Sequence, residues 1–194
     1  MKVLGSVAKT AYHYKKIQGF CPHWKLQYKL KCKSTEYELT NWLKDSPIKK
    51  HKPLAIIAKE QLSGIGQNSR PWFSPKGGIW LSAAYPIFST EFSSDLLSLS
   101  FAIKLCEMLS MESIKVDLKW PNDIYYDSKK LIGFLPRVIT RGKETIYVRI
   151  GLGMNFLNKA PLEGVALSEI LNTKNICKNY WTAKILKSIN ESIK

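Results

Sequence analysis

The chain lacks most of the features that announce a function directly. It has only three histidines and four cysteines in 194 residues. Cys21, Cys32, Cys106 and Cys177 are scattered without a C-x-x-C spacing, so neither a zinc module nor a disulfide framework is expected. Cys21 with His23 makes at most half a metal site, and no metal-ligand set is predicted. No apolar run approaches the ~20 residues of a membrane-spanning helix. The lysine-rich start has no continuous apolar segment of the signal-peptide kind. These absences predict free thiols in a cytoplasmic protein. Arginine is scarce, four against 26 lysines, which disfavours bidentate readout of nucleic-acid bases. Internal repeats, low-complexity linkers and a second domain are also missing.

The length suits one domain that can bury roughly 70% of its unfolded surface. Net charge is +15, unevenly spread. Residues 1–52 carry twelve lysines against three acids, and residues 172–194 five against one. The middle, 53–171, has thirteen bases against eleven acids. The basic ends are compatible with a nucleic-acid surface, with steering of an acidic protein partner, or with a solvated lysine surface.

Hydrophobic periodicity gives an outline. Residues 1–24 show no clear period. Residues 24–32 alternate as a first strand. Ser34-Thr35 opens a helix to about Leu43, with Thr35-x-x-Glu38 as a capping box and Pro47 as its stop. Strands are expected at 54–59 and 78–85. A helix over 93–111 is apolar nearly all round, and is therefore expected to be central. Strands at 114–120, 131–140 and 144–151 follow, then a turn at 161–164, a helical turn at 168–171 and an amphipathic helix over 179–193. Mainly antiparallel strands with separated helices give α+β, a mixed sheet with packed helices.

Two segments resist explanation by core formation. Residues 60–75, EQLSGIGQNSRPWFSP, follow an apolar strand with two glycines, one arginine and one tryptophan, and almost nothing that can pack. Glycines let backbone N–H groups approach a ligand, and Arg70 can clamp a phosphate or carboxylate. Lys119-Trp120-Pro121-Asn122-Asp123 leads into a β-run at Ile124-Tyr125-Tyr126, a turn at Asp127-Ser128-Lys129, and a strand opening Lys130-Leu131-Ile132-Gly133. Such a hairpin brings Asp123 and Lys130 to one end, though a hairpin with a plain surface lysine reads equally from residue types.

Together these segments resemble the biotin protein ligases. The resemblance rests on Ser34-Thr35 before a helix, a glycine-rich loop ending in Arg70-Pro71-Trp72, Lys119-Trp120-Pro121-Asn122-Asp123 in full, Lys130, Gly133 and Leu135 as Lys-x-x-Gly-x-Leu, and Gly151, Gly153 and Asn155 as Gly-x-Gly-x-Asn. These elements cover residues 34–155 in order. The resemblance implies the catalytic fold shared by biotin and lipoate ligases. It implies an ATP-dependent ligase that forms biotinyl-5'-adenylate and passes biotin to a lysine of the biotin carboxyl carrier protein of acetyl-CoA carboxylase. Residues 1–194 would be one catalytic domain, with 1–24 as an extension and neither a DNA-binding winged helix nor a C-terminal β-barrel. A lipoate ligase or octanoyl transferase of the same fold is the enzymatic alternative. A biotin-binding protein that has lost transfer is another.

The resemblance also assigns roles. Lys130, Arg70 and Asp123 would be catalytic, with Lys130 between the biotin carboxylate and the α-phosphate. Ser34, Thr35, Gln61, Gly64, Gly66, Lys130, Gly133 and Leu135 would bind biotin. Arg70, Trp72, Asn122, Asp123, Lys130 and Asn155 would bind ATP, with Asn122 and Asp123 positioning the nucleotide or its Mg2+. Trp72 can also be a loop-packing residue, Asn155 a turn asparagine and Thr35 a helix cap. The chain departs from the family pattern at Ile65 and Gln67, where arginines are usual, at Glu36, where asparagine is usual, and at Arg137, where glutamate is common.

Overall fold

The computed structural model describes residues 5–18, 24–45, 52–89, 93–141 and 144–193. Its frame is a seven-stranded sheet: β1 (Lys25–Lys29), β2 (Leu54–Ala58), β5 (Ile79–Ser89), β9 (Glu144–Met154), β8 (Lys129–Arg141), β7 (Asp123–Tyr126) and β6 (Asp117–Lys119), in that spatial order. β1 and β2 are parallel, and every other neighbouring pair is antiparallel. The mixed α+β architecture is the expected one. β3 (Gly64–Ile65) and β4 (Pro71–Trp72) form a separate two-stranded ribbon inside the glycine-rich loop. Edge strand β1 carries Lys25 and Lys29, charges that discourage pairing with another chain.

The two faces of this sheet are built from alternate residues of the same strands. Ile79, Leu81 and Ala83 of β5, Ile132 and Phe134 of β8, and Ile150 and Leu152 of β9 point to one side and join the main core. There they meet α1 (Ser6–Gln18), α3 (Ser94–Ser110) and α5 (Lys178–Ser192). On the other side α2 (Thr35–Asp45) covers only one end, packing Leu39 and Trp42 on Leu54, Ile56 and Ala84. The rest of that face is left to the loop. A short α4 (Leu167–Ile170) precedes α5.

Several expectations need correction. Residues 6–18 are helical although they show no clear apolar period. α1 packs Tyr14 and Ile17 into the main core, with Thr10 buried, and Ser6 and Thr10 both donate to Asn179 Oδ1 of α5. Thr35 is not the cap of α2. Ser34 is, its Oγ accepting from Tyr37 N, so no Thr35–Glu38 capping box forms. α3 is not central, since Leu96 is 65% exposed and Leu99 and Ile103 also face outward. Ser93 caps it, accepting from Leu96 N. β6 starts at Asp117, later than the pattern suggested, and β1 ends at Lys29. Pro47, Cys21 and His23 lie outside the described residues. Among those described, Cys32, Cys106 and Cys177 are free, and no helix is long and apolar enough to cross a membrane.

Candidate active site

The uncovered sheet face carries glycines and a serine among its larger residues. Gly151 pairs with Ser82 on one side and Leu135 on the other, and Gly153 pairs with Trp80 and Gly133. A side chain at Gly133 or Gly153 has no room. A Cβ on Gly153 would come within 2.4 Å of Trp72 Nε1, and one on Gly133 within 2.8 Å of the same indole ring. Trp72 thus lies flat over two glycines, placed there by the β3–β4 ribbon. Its Nε1 is buried without a hydrogen-bond partner.

Lys130 stands beside that ring. β7 and β8 meet through a two-residue turn in which Asp127 and Ser128 both have positive φ, 47° and 60°, the backbone of a tight hairpin. Lys129 belongs to the returning strand rather than the turn. This register puts Lys130 Nζ 2.6 Å from Asp123 Oδ1 and 4.8 Å from the Trp72 ring centroid. The Lys130 backbone is held on both sides: its N–H donates to Glu163 O, and its carbonyl accepts from Val165 N and Asn155 Nδ2. The main chain is therefore fixed while the ammonium remains on a flexible stem. Asn122 is buried beside the pair, with its carbonyl accepting from Phe134 N. Pro121 follows a cis peptide bond and accepts from Ser98 Oγ.

At the other end lies a hydroxyl and amide cluster. Thr35 N and Thr35 Oγ1 both donate to Gln61 Oε1, at 2.7 and 3.0 Å. A backbone N–H can only donate, which fixes the orientation of the Gln61 amide. Gln61 Nε2 then donates to Ser74 Oγ, which donates to Trp72 O. Thr35 has one proton, given to Gln61, so Ser82 Oγ donates to Thr35 Oγ1 at 2.8 Å. Cap formation by Ser34 frees Thr35 for this network.

A cavity of about 260 Å3 joins the two ends, walled by Ser34, Thr35, Gln61, Gly66, Arg70, Trp72, Asn122, Asp123, Lys130, Gly133 and Leu135 among others. Arg70 and Gln67 are exposed at its mouth. A second cavity of about 230 Å3 lies on the far side of Trp72 and Lys130, lined also by Tyr125, Asn155 and Gly164. Two candidate residues lie outside the lining of this first cavity. Gly64 is behind the wall, against Trp72 O and Ser74 Oγ. Asn155 borders the second cavity only, where its amide bonds Lys130 O and Asn158. Arg137 is exposed and lines neither cavity. Ser82 and Tyr125 were not singled out from sequence. The only signal for Ser82 is a hydroxyl in a strand buried on both faces. Among the described residues no cluster of three His, Cys, Asp or Glu could hold a metal.

Lys130 and the orphaned indole N–H of Trp72 thus stand between a polar pocket and a second cavity. Residues 30–155 match the Biotin/lipoate A/B protein ligase family, and the chain belongs to it. It is 28% identical to the bifunctional ligase/repressor BirA of Escherichia coli over 145 residues, 72% of this chain but 45% of that protein. With the human biotin–protein ligase it shares 31% identity over 130 residues, 63% of this chain and 18% of the relative. The chain thus spans less than half the length of these relatives. Among solved structures it superposes on the biotin protein ligase of Aquifex aeolicus in complex with biotin and ATP, with a TM-score of 0.71 and 26% identity over 87% of this chain and 70% of that one.

Proposed function

We propose that this chain joins biotin to ATP as biotinyl-5'-adenylate and passes the biotinyl group to a lysine of a biotin carboxyl carrier domain, that of acetyl-CoA carboxylase. The observation that carries this reading is the position of Lys130, which borders both cavities and lies against both Asp123 and Trp72.

The chemistry sets what such a site must do. A biotin carboxylate oxygen attacks the α-phosphorus of ATP, the bond to the β-phosphate oxygen breaks, and pyrophosphate leaves. Two anions meet, so a cation at the junction lowers the barrier. Lys130 fits that place, its ammonium moving from Asp123 to the developing negative charge while its backbone stays pinned. Asp123 stores the ammonium until the anions arrive. Arg70 at the mouth is placed for phosphate oxygens. Trp72 offers its outer face to adenine in the second cavity, and Asn155 orders the strand that carries Lys130. In the second step the carrier lysine amine attacks the acyl carbon and AMP leaves. ATP would bring Mg2+ on its own phosphates, and Asn122 and Asp123 would offer it oxygen ligands. No protein cage for the ion is needed. The free cysteines suit a reducing cytoplasm.

Purified protein with labelled biotin, Mg-ATP and a carrier domain tests the reading. Incorporation of label that requires ATP is expected. Absence of both labelled carrier and biotinyl-adenylate would overturn it.

A further inference from the structure

Beside Lys130, a chain of hydrogen bonds runs through two side-chain amides in one direction. Phe156 N–H donates to Asn158 Oδ1 at 2.9 Å, Asn158 Nδ2 donates to Asn155 Oδ1 at 2.9 Å, and Asn155 Nδ2 donates to Lys130 O at 3.2 Å. Both ends of the chain are backbone groups. An N–H can only donate and a carbonyl can only accept, so a single orientation of the two amides satisfies every link. Both asparagines are buried. Asn155 borders the second cavity, whereas Asn158 lines neither cavity. The turn carrying Asn158 is also held by its main chain, where Leu157 N–H donates to Gly77 O. Asn158 Nδ2 reaches Lys159 O as well, at a longer 3.4 Å.

We infer that Asn158 is a positioning residue for the nucleotide half of the reaction: it sets which way round the Asn155 amide lies and, through that amide, holds the Lys130 carbonyl. The inference rests on the ligase reading above, which puts the nucleotide in the second cavity, and extends it to a residue that touches no substrate. A buried polar network fixes geometry when each member is paired and loses that property when one is removed. Without a donor at residue 158, the Asn155 amide is free to turn over. A turned amide sets Oδ1 against Lys130 O, two acceptors facing each other, and reverses the polar groups at the cavity wall. Lys130 O then keeps only its bond from Val165 N. The start of the strand that aims the ammonium is held less tightly, and a misplacement of about 1 Å can slow a reaction about a hundredfold. The hydroxyl and amide cluster at the Thr35 end contains no member of this chain of bonds.

Asn158→Asp and Asn158→Ala test this through adenylate formation and, separately, biotin binding by calorimetry without ATP. The aspartate still accepts from Phe156 N–H. Ionised, it has no proton for Asn155; protonated, it donates as the asparagine did. At pH 8 the aspartate variant is expected to form adenylate ~tenfold or more slowly, with KM for ATP raised ~tenfold, while biotin affinity stays within about threefold. As pH falls from about 8 to about 5.5, its rate relative to wild type should rise ~threefold or more, because a buried carboxyl facing an acceptor regains its proton readily. Alanine should show the same ATP-selective loss with no such recovery. An aspartate variant within twofold of wild type at pH 8, or one whose relative rate does not change with pH, would overturn the inference while the ligase reading stands. So would a biotin affinity that falls in step with that for ATP, the sign of general loosening. If wild type forms no adenylate, the ligase reading fails and the inference with it. Should the aspartate variant not fold, the split between ATP and biotin in the alanine variant decides.

Discussion

The two faces of the central sheet come from the same strands and do opposite things. On the helix-covered face, β5, β8 and β9 present Leu81, Phe134 and Ile150 to a continuous apolar core. One residue along each strand, the other face presents Ser82, Gly133 and Gly151 to a cavity. At these positions the large side chains on one side and the small ones on the other follow a period of two. The first face holds the fold through burial, at roughly 1.5–3 kcal/mol for each large apolar side chain. The second packs in two smaller clusters, around Trp42 and around Trp80, and between them leaves polar groups along a cavity. It also holds charged side chains, Lys130, Asp123, Glu36 and Arg149, in partial burial.

This division predicts that substitutions on the two sides change different measurements. The largest effect belongs to the helix-covered side. Phe101 is fully buried in α3, with its ring edge-on to Phe134 at 5.2 Å between centroids. Phe101→Ala should cost ~3–5 kcal/mol of stability, read by denaturant unfolding, with ligand affinity of the folded protein unchanged. An affinity loss comparable to the stability loss would show that the two faces are coupled. On the cavity side, Lys130→Ala should lower the activation step by a hundred- to thousandfold, about 3–4 kcal/mol. Its melting temperature should change little, since the lost contact is a partly exposed ion pair with Asp123. Activity within threefold of wild type would remove Lys130 from the junction.

The same division explains what was legible in the sequence. The helix-covered face was readable because burial imposes an apolar run or period: the strands expected at 54–59 and 78–85, the second of which extends to Ser89, and the stripe of Trp181, Ile185 and Ile189 on α5 emerge directly. The cavity face was readable only where a polar or glycine residue breaks that period, as at Gly133, Gly151 and Gly153. Its internal wiring was not. Whether Ser34 or Thr35 caps α2 depends on a one-residue offset that both side chains satisfy chemically, and only the structure shows that Ser34 does so. Glu36 stood out as a departure from the family pattern, but its partner Arg149 is 113 residues away, and no local pattern joins them. α1 was missed because its covered stripe mixes Thr10 with Tyr14 and Ile17, and Ser6 and Thr10 are tied to Asn179, so the apolar signal along it is sparse.

A smaller effect probes the cavity mouth. Arg70 is the exposed cation there, and Gln67 stands at a position where arginine is usual in the family. Arg137 does not line the cavity and leaves that position unfilled. Gln67→Arg should therefore strengthen the hold on the adenylate, since a charge-assisted hydrogen bond to an anion contributes ~1.5–3 kcal/mol in favourable geometry. Single-turnover formation of the adenylate followed by its dissociation rate measures this. Release should slow by about tenfold or more. Unchanged or faster release would mean that Arg70 and Lys130 already meet the charge and that a third cation only repels them.

The smallest effect tests whether charge on the helix-covered side is mere cost. Lys178 is the first residue of α5. Burial, and secondarily the nearby Lys59, push its ammonium down to about 8 from an ordinary 10.5. Its position at a helix N-terminus adds unfavourable interaction with the positive end of the dipole. The folded chain thus binds this proton less readily than the unfolded chain. The charged lysine opposes folding at every pH below about 8, and the opposition fades as pH rises from about 8 toward 10.5. Lys178→Gln removes the charge and keeps good helix propensity, so it should stabilise the protein by about 1 kcal/mol at neutral pH. That advantage should disappear by the upper end of the window. Melting curves of both proteins across this range give the answer. A stabilisation that does not vary with pH would trace to packing or propensity instead. A destabilised variant would mean that Lys178 has a partner on the covered face, and that this face, like the other, places charge for use.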